Sequence, residues 1–165
     1  MTAMSEIGTT TRVYQVYIKA APERIWDAIT TSEWTSRYGY GGDIEIDLRP
    51  GGGYTGFASD QMKAYGTPDV VVVGEVIESD PPRRLVMTWH PVWDEQIAAE
   101  AASRLTYEIE PGIGGATKLT LIHDLEGAPL TEAMVTGQVE GAGGGWPYVL
   151  SDLKTLLETG EPLGD

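Results

Sequence analysis

The sequence contains no cysteine and only two histidines among its 165 residues. Without cysteine, a disulfide framework and a thiol nucleophile are both excluded. Two histidines cannot supply the ligands of a usual zinc site, and no carboxylate is spaced to join them. The sequence therefore predicts neither a metal site nor another cofactor.

Basic residues are also scarce, with 11 Lys and Arg against 25 Asp and Glu and a net charge of −14. A nucleic-acid-binding protein needs a basic face to displace counterions, and anionic membranes repel an acidic protein. No apolar run reaches the roughly 18 residues of a membrane span, and the first ten residues lack the regions of a secretory signal. We expect a cytoplasmic protein that binds neither nucleic acid nor membranes.

Short alternating segments separated by turn residues make up most of the chain. They predict β-strands over residues 11–20, 43–48, 53–57, 69–79, 84–90, 103–110 and 117–125. Helical signals lie between the first two strands, over residues 21–31 and 32–38, and after the last strand, over residues 130–139 and 146–158. Successive hairpin-linked strands of this kind are typical of an antiparallel meander in an α+β protein.

The last of these helices is strongly amphipathic. Its apolar residues recur at steps of three and four, which places them on one helix face: Trp146, Val149, Leu150, Leu153, Leu156 and Leu157. The polar residues between them, including Asp152, are expected to face solvent. A long twisted sheet curls and needs a cover on its concave face. We therefore expect this helix to lie on that face.

Five segments of the chain resemble a known family: residues 21–38, 46–57, 74–89, 117–125 and 145–158. Together they resemble the START/Bet v 1-like superfamily of helix-grip proteins, in the branch named after the C-terminal domain of the activator of Hsp90 ATPase. The resemblance implies a curved antiparallel sheet of about six to seven strands wrapped around a long C-terminal helix. It also implies two short helices after the first strand and a cavity between sheet and helix.

Domain boundaries follow from the extent of these patterns. Residues 11–160 are predicted to form a single helix-grip domain, with a disordered tail at 1–10 and a short tail at 161–165. Tyr38 stands where the family usually carries a tryptophan. The stretch 126–145 looks longer and richer in glycine than is usual.

Aromatic usage is uneven, with five Trp and eight Tyr but one Phe. Trp and Tyr combine an apolar body with a hydrogen-bonding group, which suits the wall of a ligand site. Strand parity places His123 on the inward face, where a hydrogen-bonded core role and a ligand-binding role are both open. The predicted cavity residues are Tyr38, Tyr54, Met87, Trp89, Tyr107, Leu121, His123, Trp146, Leu150 and Leu153.

The sequence therefore predicts a binding protein for a hydrophobic or aromatic small molecule, as a monomer or a homodimer. One alternative is an enzyme of the cyclase/dehydratase type, with His123 and either Tyr107 or Glu75 as acid and base. Another is a protein–protein adaptor of the chaperone-activator type. No catalytic constellation is evident, so an enzyme is the less favoured reading.

Overall fold

Seven antiparallel strands form one curved sheet in the computed structural model, which describes residues 10–139 and 144–163. The strands are β1 (Thr11–Ile18), β2 (Ile44–Ile46), β3 (Gly53–Phe57), β4 (Val70–Asp80), β5 (Arg84–Pro91), β6 (Ser103–Pro111) and β7 (Thr117–Asp124). Their order across the sheet is β1-β7-β6-β5-β4-β3-β2. Hairpins therefore join every neighbouring pair except β1 and β7, so the first and last strands in sequence lie side by side.

Six α-helices lie among the described residues. They are α1 (Pro22–Thr30), α2 (Ser32–Thr35), α3 (Asp60–Ala64), α4 (Glu95–Ala98), α5 (Pro129–Val135) and α6 (Gly145–Thr159). The first two carry the chain from β1 to β2, and α6 follows the sheet. The α+β helix-grip fold expected from the sequence is confirmed.

The core lies between α6 and the inner face of the sheet. On α6, the side chains of Trp146, Leu150, Leu153, Leu156 and Leu157 are buried, whereas Val149 is half-buried. Cross-strand pairs such as Met87 with Leu105 and Leu105 with His123 place inward residues of neighbouring strands in rows beneath the helix. Each large apolar side chain buried in this way contributes about 1.5–3 kcal/mol to folding.

Helices α3 and α4 were not predicted from the sequence, although their capping residues are plain. The Ser59 hydroxyl accepts a hydrogen bond from Met62 N–H at the start of α3. The Asp94 carboxylate likewise accepts from Gln96 N–H and Ile97 N–H at the start of α4. Both helices are a single turn long, too short for an apolar periodicity to reveal them.

Helix α5 is shorter than the predicted segment 130–139, and its start is capped from a distance. The carboxylate of Glu100 accepts hydrogen bonds from the N–H of Leu130 at 2.7 Å and of Thr131 at 3.0 Å. These are donors that the first turn of a helix leaves unpaired. A cap supplied from 30 residues upstream leaves no local signal in the sequence.

The glycine-rich segment brings the end of α5 and the start of α6 into backbone contact. A Cβ placed on Gly145 would lie 2.2 Å from the carbonyl oxygen of Val135, and one on Gly137 would lie 2.6 Å from that of Gly144. All three glycines have positive φ. Glycine is therefore required here both for space and for backbone conformation, and the entry to α6 is held against α5.

Most residues of the two predicted tails lie outside the described part of the chain. The tail at residues 1–10 lies outside the described residues except for its last member, and residues 164–165 also lie outside. Within 161–163, Leu163 N–H donates to Asp152 Oδ1 at 2.7 Å. Among the described residues, no helix is long and apolar enough to cross a membrane.

Alanine substitution at the two ends of α6 should separate close packing from backbone strain. Gly145 and Gly160 both have positive φ, but nothing lies within 4 Å of a Cβ at Gly160. Gly160→Ala should cost about 1 kcal/mol of unfolding free energy, from left-handed strain alone. Gly145→Ala should cost roughly 1–3 kcal/mol more, because the Val135 carbonyl must move. Urea unfolding measures both; equal costs would contradict the close contact between α5 and α6.

Candidate functional site

The ten predicted cavity residues lie together where α6 packs on the inner face of the sheet, three of them on α6 itself. Six of them are buried: Met87, Leu121, His123, Trp146, Leu150 and Leu153. The other four are half-buried aromatic residues that pack against the same core: Tyr38, Tyr54, Trp89 and Tyr107. We call these four side chains the inner aromatic group.

His123 lies in a continuous chain of hydrogen bonds. The indole N–H of Trp146 donates to His123 Nδ1 at 2.9 Å, and His123 Nε2 lies 2.7 Å from Ser103 Oγ. The Ser103 hydroxyl is in turn 2.7 Å from the carbonyl oxygen of Trp89. The His123 ring also meets the Trp89 ring edge-on, with centroids 5.3 Å apart. This chain, the His123 network, connects β5, β6, β7 and the first turn of α6.

The direction of every proton in the His123 network follows from the indole, which can only donate. Nδ1 must accept, so the neutral ring carries its proton on Nε2 and donates it to Ser103. The Ser103 hydroxyl then donates to the Trp89 carbonyl. Burial lowers the pKa of His123 to about 3, because desolvation disfavours the charged ring.

This arrangement does not activate Ser103 as a nucleophile. A catalytic histidine must accept the hydroxyl proton on the nitrogen that faces the serine, while its other nitrogen donates to an acceptor. In this protein the nitrogen facing Ser103 already carries a proton, and the other nitrogen accepts from Trp146. Both nitrogens of His123 are engaged inside the protein, as in the core role left open by the sequence.

The tyrosines of the inner aromatic group differ in their hydrogen bonding. The Tyr38 hydroxyl donates to the carbonyl oxygen of Ala28 at 2.9 Å. The hydroxyls of Tyr54 and Tyr107 have no hydrogen-bond partner among the described residues, yet neither is fully enclosed. In contrast, Ser79 Oγ is fully enclosed and also lacks a partner within the described part of the chain. Tyr54 and Tyr107 therefore keep hydroxyl hydrogen-bonding capacity that no described residue uses.

The three tyrosines lie close enough to influence one another's ionisation. Burial raises the pKa of Tyr54 to about 12. Burial also raises the pKa of Tyr107 well above its usual value of 10, with smaller contributions from Tyr38 and Tyr54. The pKa of Tyr38 rises through burial first and then through Tyr54 and Asp152. All three phenols are therefore neutral at physiological pH and can act as hydrogen-bond donors.

Asp152, predicted to face solvent, is 2% exposed, so that prediction was wrong. Its carboxylate accepts hydrogen bonds from Gly39 N–H at 2.8 Å and Leu163 N–H at 2.7 Å. Asp152 lies three residues after Val149 and four before Leu156, at the edge of the apolar stripe. That position is the signal that could have revealed it, because flanking residues on a covered helix are often enclosed by the loops beside it.

Two surface depressions lie away from the inner aromatic group. The larger, about 670 Å³, is a polar hollow beside β2 and α3 that includes Asp43, Glu45, Asp60 and Asp69. The smaller, about 450 Å³, lies at the end of β6 and β7 near Arg104 and Asp124. Among the described residues, no group of three or more histidines and carboxylates is placed to hold a metal ion. The cavity expected beneath α6 stays a prediction.

Comparison with protein families agrees with this architecture. Residues 19–158 match the sequence model of the family described as Activator of Hsp90 ATPase homolog 1-like protein. The chain belongs to this family. The resemblance inferred from the five sequence segments is thereby confirmed.

Several solved structures resemble this member of the Hsp90-activator-like family. An HSP90 activator from Plasmodium falciparum, PFC0360w, is 21% identical over 90% of this chain and 96% of its own, with a TM-score of 0.62. The Aha1 dimer from Colwellia psychrerythraea is 18% identical over 91% and 97%, with a TM-score of 0.64. CalU16 from Micromonospora echinospora is 21% identical over 94% and 69%, with a TM-score of 0.63.

These identities are low enough that the likeness establishes the fold alone. A search of curated proteins gave no significant match.

The buried state of His123 predicts a specific loss of stability in acid. The unfolded imidazole protonates near pH 6.5, whereas the folded one protonates only near pH 3. The unfolded state therefore binds the proton first, and folding stability falls as the pH drops below 6.5. Between pH 7 and pH 5 this single group should remove about 2 kcal/mol from the unfolding free energy.

His123→Gln should abolish that part of the acid dependence, since glutamine does not titrate. His90→Gln is the matched control, because His90 lies outside the His123 network with its Nε2 at 2.9 Å from the Ala98 carbonyl oxygen. Urea unfolding at pH 7 and pH 5 for the three proteins measures the difference. An identical pH dependence in wild type and His123→Gln would contradict the neutral, buried assignment.

Proposed function

We propose that this protein binds a hydrophobic or aromatic small molecule between the inner face of the sheet and α6, in contact with the inner aromatic group. One observation carries the proposal: the hydroxyls of Tyr54 and Tyr107 lie in the apolar interior without a partner among the described residues, although both retain accessible surface.

Free hydroxyls at such a position are informative because of their cost. A polar group taken from water without a replacement hydrogen bond costs about 1–3 kcal/mol by protein mutational data. Phenylalanine would fill almost the same volume without that cost. The chain nevertheless contains eight Tyr and one Phe, so it uses the aromatic residue that carries a hydroxyl far more often than the one without. A bound molecule or an ordered water that accepts from them offsets the cost.

The walls of the site also suit an aromatic ligand. Trp89 is half-buried and packs beside Trp146 with ring centroids 5.8 Å apart. Tyr54 lies along its own strand, with its hydroxyl 3.4 Å from the position that a Cβ on Gly56 would occupy. The Tyr54 ring therefore lies over β3 beside Gly56. Flat, apolar walls with a few polar groups are typical of small-molecule sites.

The enzyme alternative has less support. His123 would serve as acid or base, but both of its ring nitrogens are engaged and burial lowers its pKa to about 3. A general base works best with a pKa near the working pH. Glu75, its suggested partner, is exposed. These observations favour binding over catalysis.

A protein partner is the second candidate, and the family favours it. One similar structure is described as an HSP90 activator and another as an Aha1 dimer. Edge strand β1 exposes Val13 and Tyr17, a pair of apolar side chains that a partner could cover. Sedimentation equilibrium tests for a homodimer, and titration with purified Hsp90 tests the chaperone partnership.

Binding of an uncharged naphthalene dye tests the small-molecule proposal. The dye should bind with one-to-one stoichiometry and quench tryptophan fluorescence, because the site borders Trp89. Native mass spectrometry of freshly purified protein, compared with its denatured mass, should show a ligand or dye adduct. Saturable binding in both measurements is the expected outcome.

Two single substitutions locate the dye. Trp89→Phe should remove a large share of the quenching, since Trp89 belongs to the inner aromatic group. Trp34→Phe is the control. Trp34 packs against the same core, but Arg24 and Arg37 lie over its ring, with guanidinium carbons 5.3 and 4.8 Å from the ring centroid. Absence of saturable binding, or quenching lost with Trp34 and kept without Trp89, would contradict the proposal.

A further inference from the structure

The polar groups of the site define which ligand chemistry it can satisfy. Every proton of the His123 network is already donated within the protein, and the Tyr38 hydroxyl donates to Ala28. Three donors of the inner aromatic group have no hydrogen-bond partner among the described residues: the hydroxyls of Tyr54 and Tyr107 and the indole N–H of Trp89. A neutral phenol is a strong donor and a weaker acceptor, so the unmet need of the site is for acceptor atoms on the ligand.

The charges around the site disfavour an anionic ligand. No Lys or Arg is buried among the described residues, whereas the Asp152 carboxylate is. This carboxylate interacts unfavourably with ionised Tyr38. An anionic ligand would lose its hydration here and gain no cation in exchange, which is strongly unfavourable.

A cationic ligand is also poorly served. Asp152 is the acid that acts on Tyr38, but its two oxygens accept from Gly39 N–H and Leu163 N–H. A cation on the aromatic rings would gain a cation–π attraction. However, a cation offers no hydrogen-bond acceptor, so the hydroxyls of Tyr54 and Tyr107 would stay without a partner.

We infer that the ligand of this site is an uncharged aromatic molecule that carries a hydrogen-bond acceptor such as a ketone, quinone or ester carbonyl, which Tyr54 and Tyr107 bind through their hydroxyls. This inference rests on the proposed function and adds the chemical class of the ligand. It also assigns Tyr54 and Tyr107 as the residues that select that class.

Four probes that share a naphthalene ring test the inference: 2-ethylnaphthalene, 2-acetylnaphthalene, 2-naphthoate and 2-naphthylmethylammonium. Their affinities are measured by competition with the uncharged dye at pH 7. The ketone should bind at least tenfold more tightly than the hydrocarbon, because it accepts a hydrogen bond that the hydrocarbon cannot. It should also bind at least tenfold more tightly than the carboxylate and the ammonium compound.

Two variants assign the selectivity to residues. Tyr54→Phe and Tyr107→Phe keep the ring and remove the hydroxyl. At least one of them should reduce the advantage of the ketone over the hydrocarbon severalfold, while the affinity of the hydrocarbon stays within twofold. Tyr65→Phe is the control and should change neither affinity, since Tyr65 is exposed on the surface. Circular dichroism at the temperature of the assay confirms that each variant is folded.

The possible failures are distinguishable. Equal competition by ketone and hydrocarbon, or a ketone advantage that survives both Tyr→Phe changes, would overturn the ligand class and leave the small-molecule function standing. Tightest binding by the carboxylate or the ammonium compound would overturn it as well. Failure of the dye and of all four probes to bind at their solubility limits would overturn the proposed function itself.

Discussion

Burial of the apolar stripe of α6 on the concave face of the sheet is the interaction on which the rest of the structure depends. A curved antiparallel sheet exposes an apolar inner face that water would otherwise cover, and α6 is the longest helix available to it. Leu150 and Leu153 provide the central contacts. The ends of the helix are fixed separately, by Gly145 against α5 and by Lys154, whose ammonium donates to the Tyr17 carbonyl oxygen at 2.7 Å.

The contact between α6 and the sheet is polar at the first turn of the helix, where Trp146 meets His123. Burial keeps the His123 ring neutral. The sequence suggested His123 as a ligand contact or a catalytic base. In the structure both of its ring nitrogens are used in hydrogen bonds within the protein, to Trp146 and Ser103. Further along the inner face, the hydroxyls of Tyr54 and Tyr107 have no hydrogen-bond partner among the described residues. As neutral phenols they can act as hydrogen-bond donors.

Periodicity predicted the sheet and α6 well because burial on one face imposes a regular spacing on the sequence. Strand parity also placed Leu121 and His123 on the inner face correctly. The partners of His123 could not be predicted, since they come from β6 and α6, 20 and 23 residues away along the chain. The burial of Asp152 depends on Gly39 and on Leu163, and its position at the edge of the apolar stripe is a weak local sign of these contacts. Short capped turns were missed because they carry no apolar repeat.

A crystal structure of the protein with 2-acetylnaphthalene would show directly where the ligand binds and which side chains it contacts. We expect the naphthalene ring between α6 and the inner face of the sheet, against Trp89. It also predicts the carbonyl oxygen within hydrogen-bonding distance, roughly 2.5–3.0 Å, of the hydroxyl of Tyr54 or Tyr107. A probe bound only in the polar hollow beside β2, or on the outer face near Tyr17, would contradict the account.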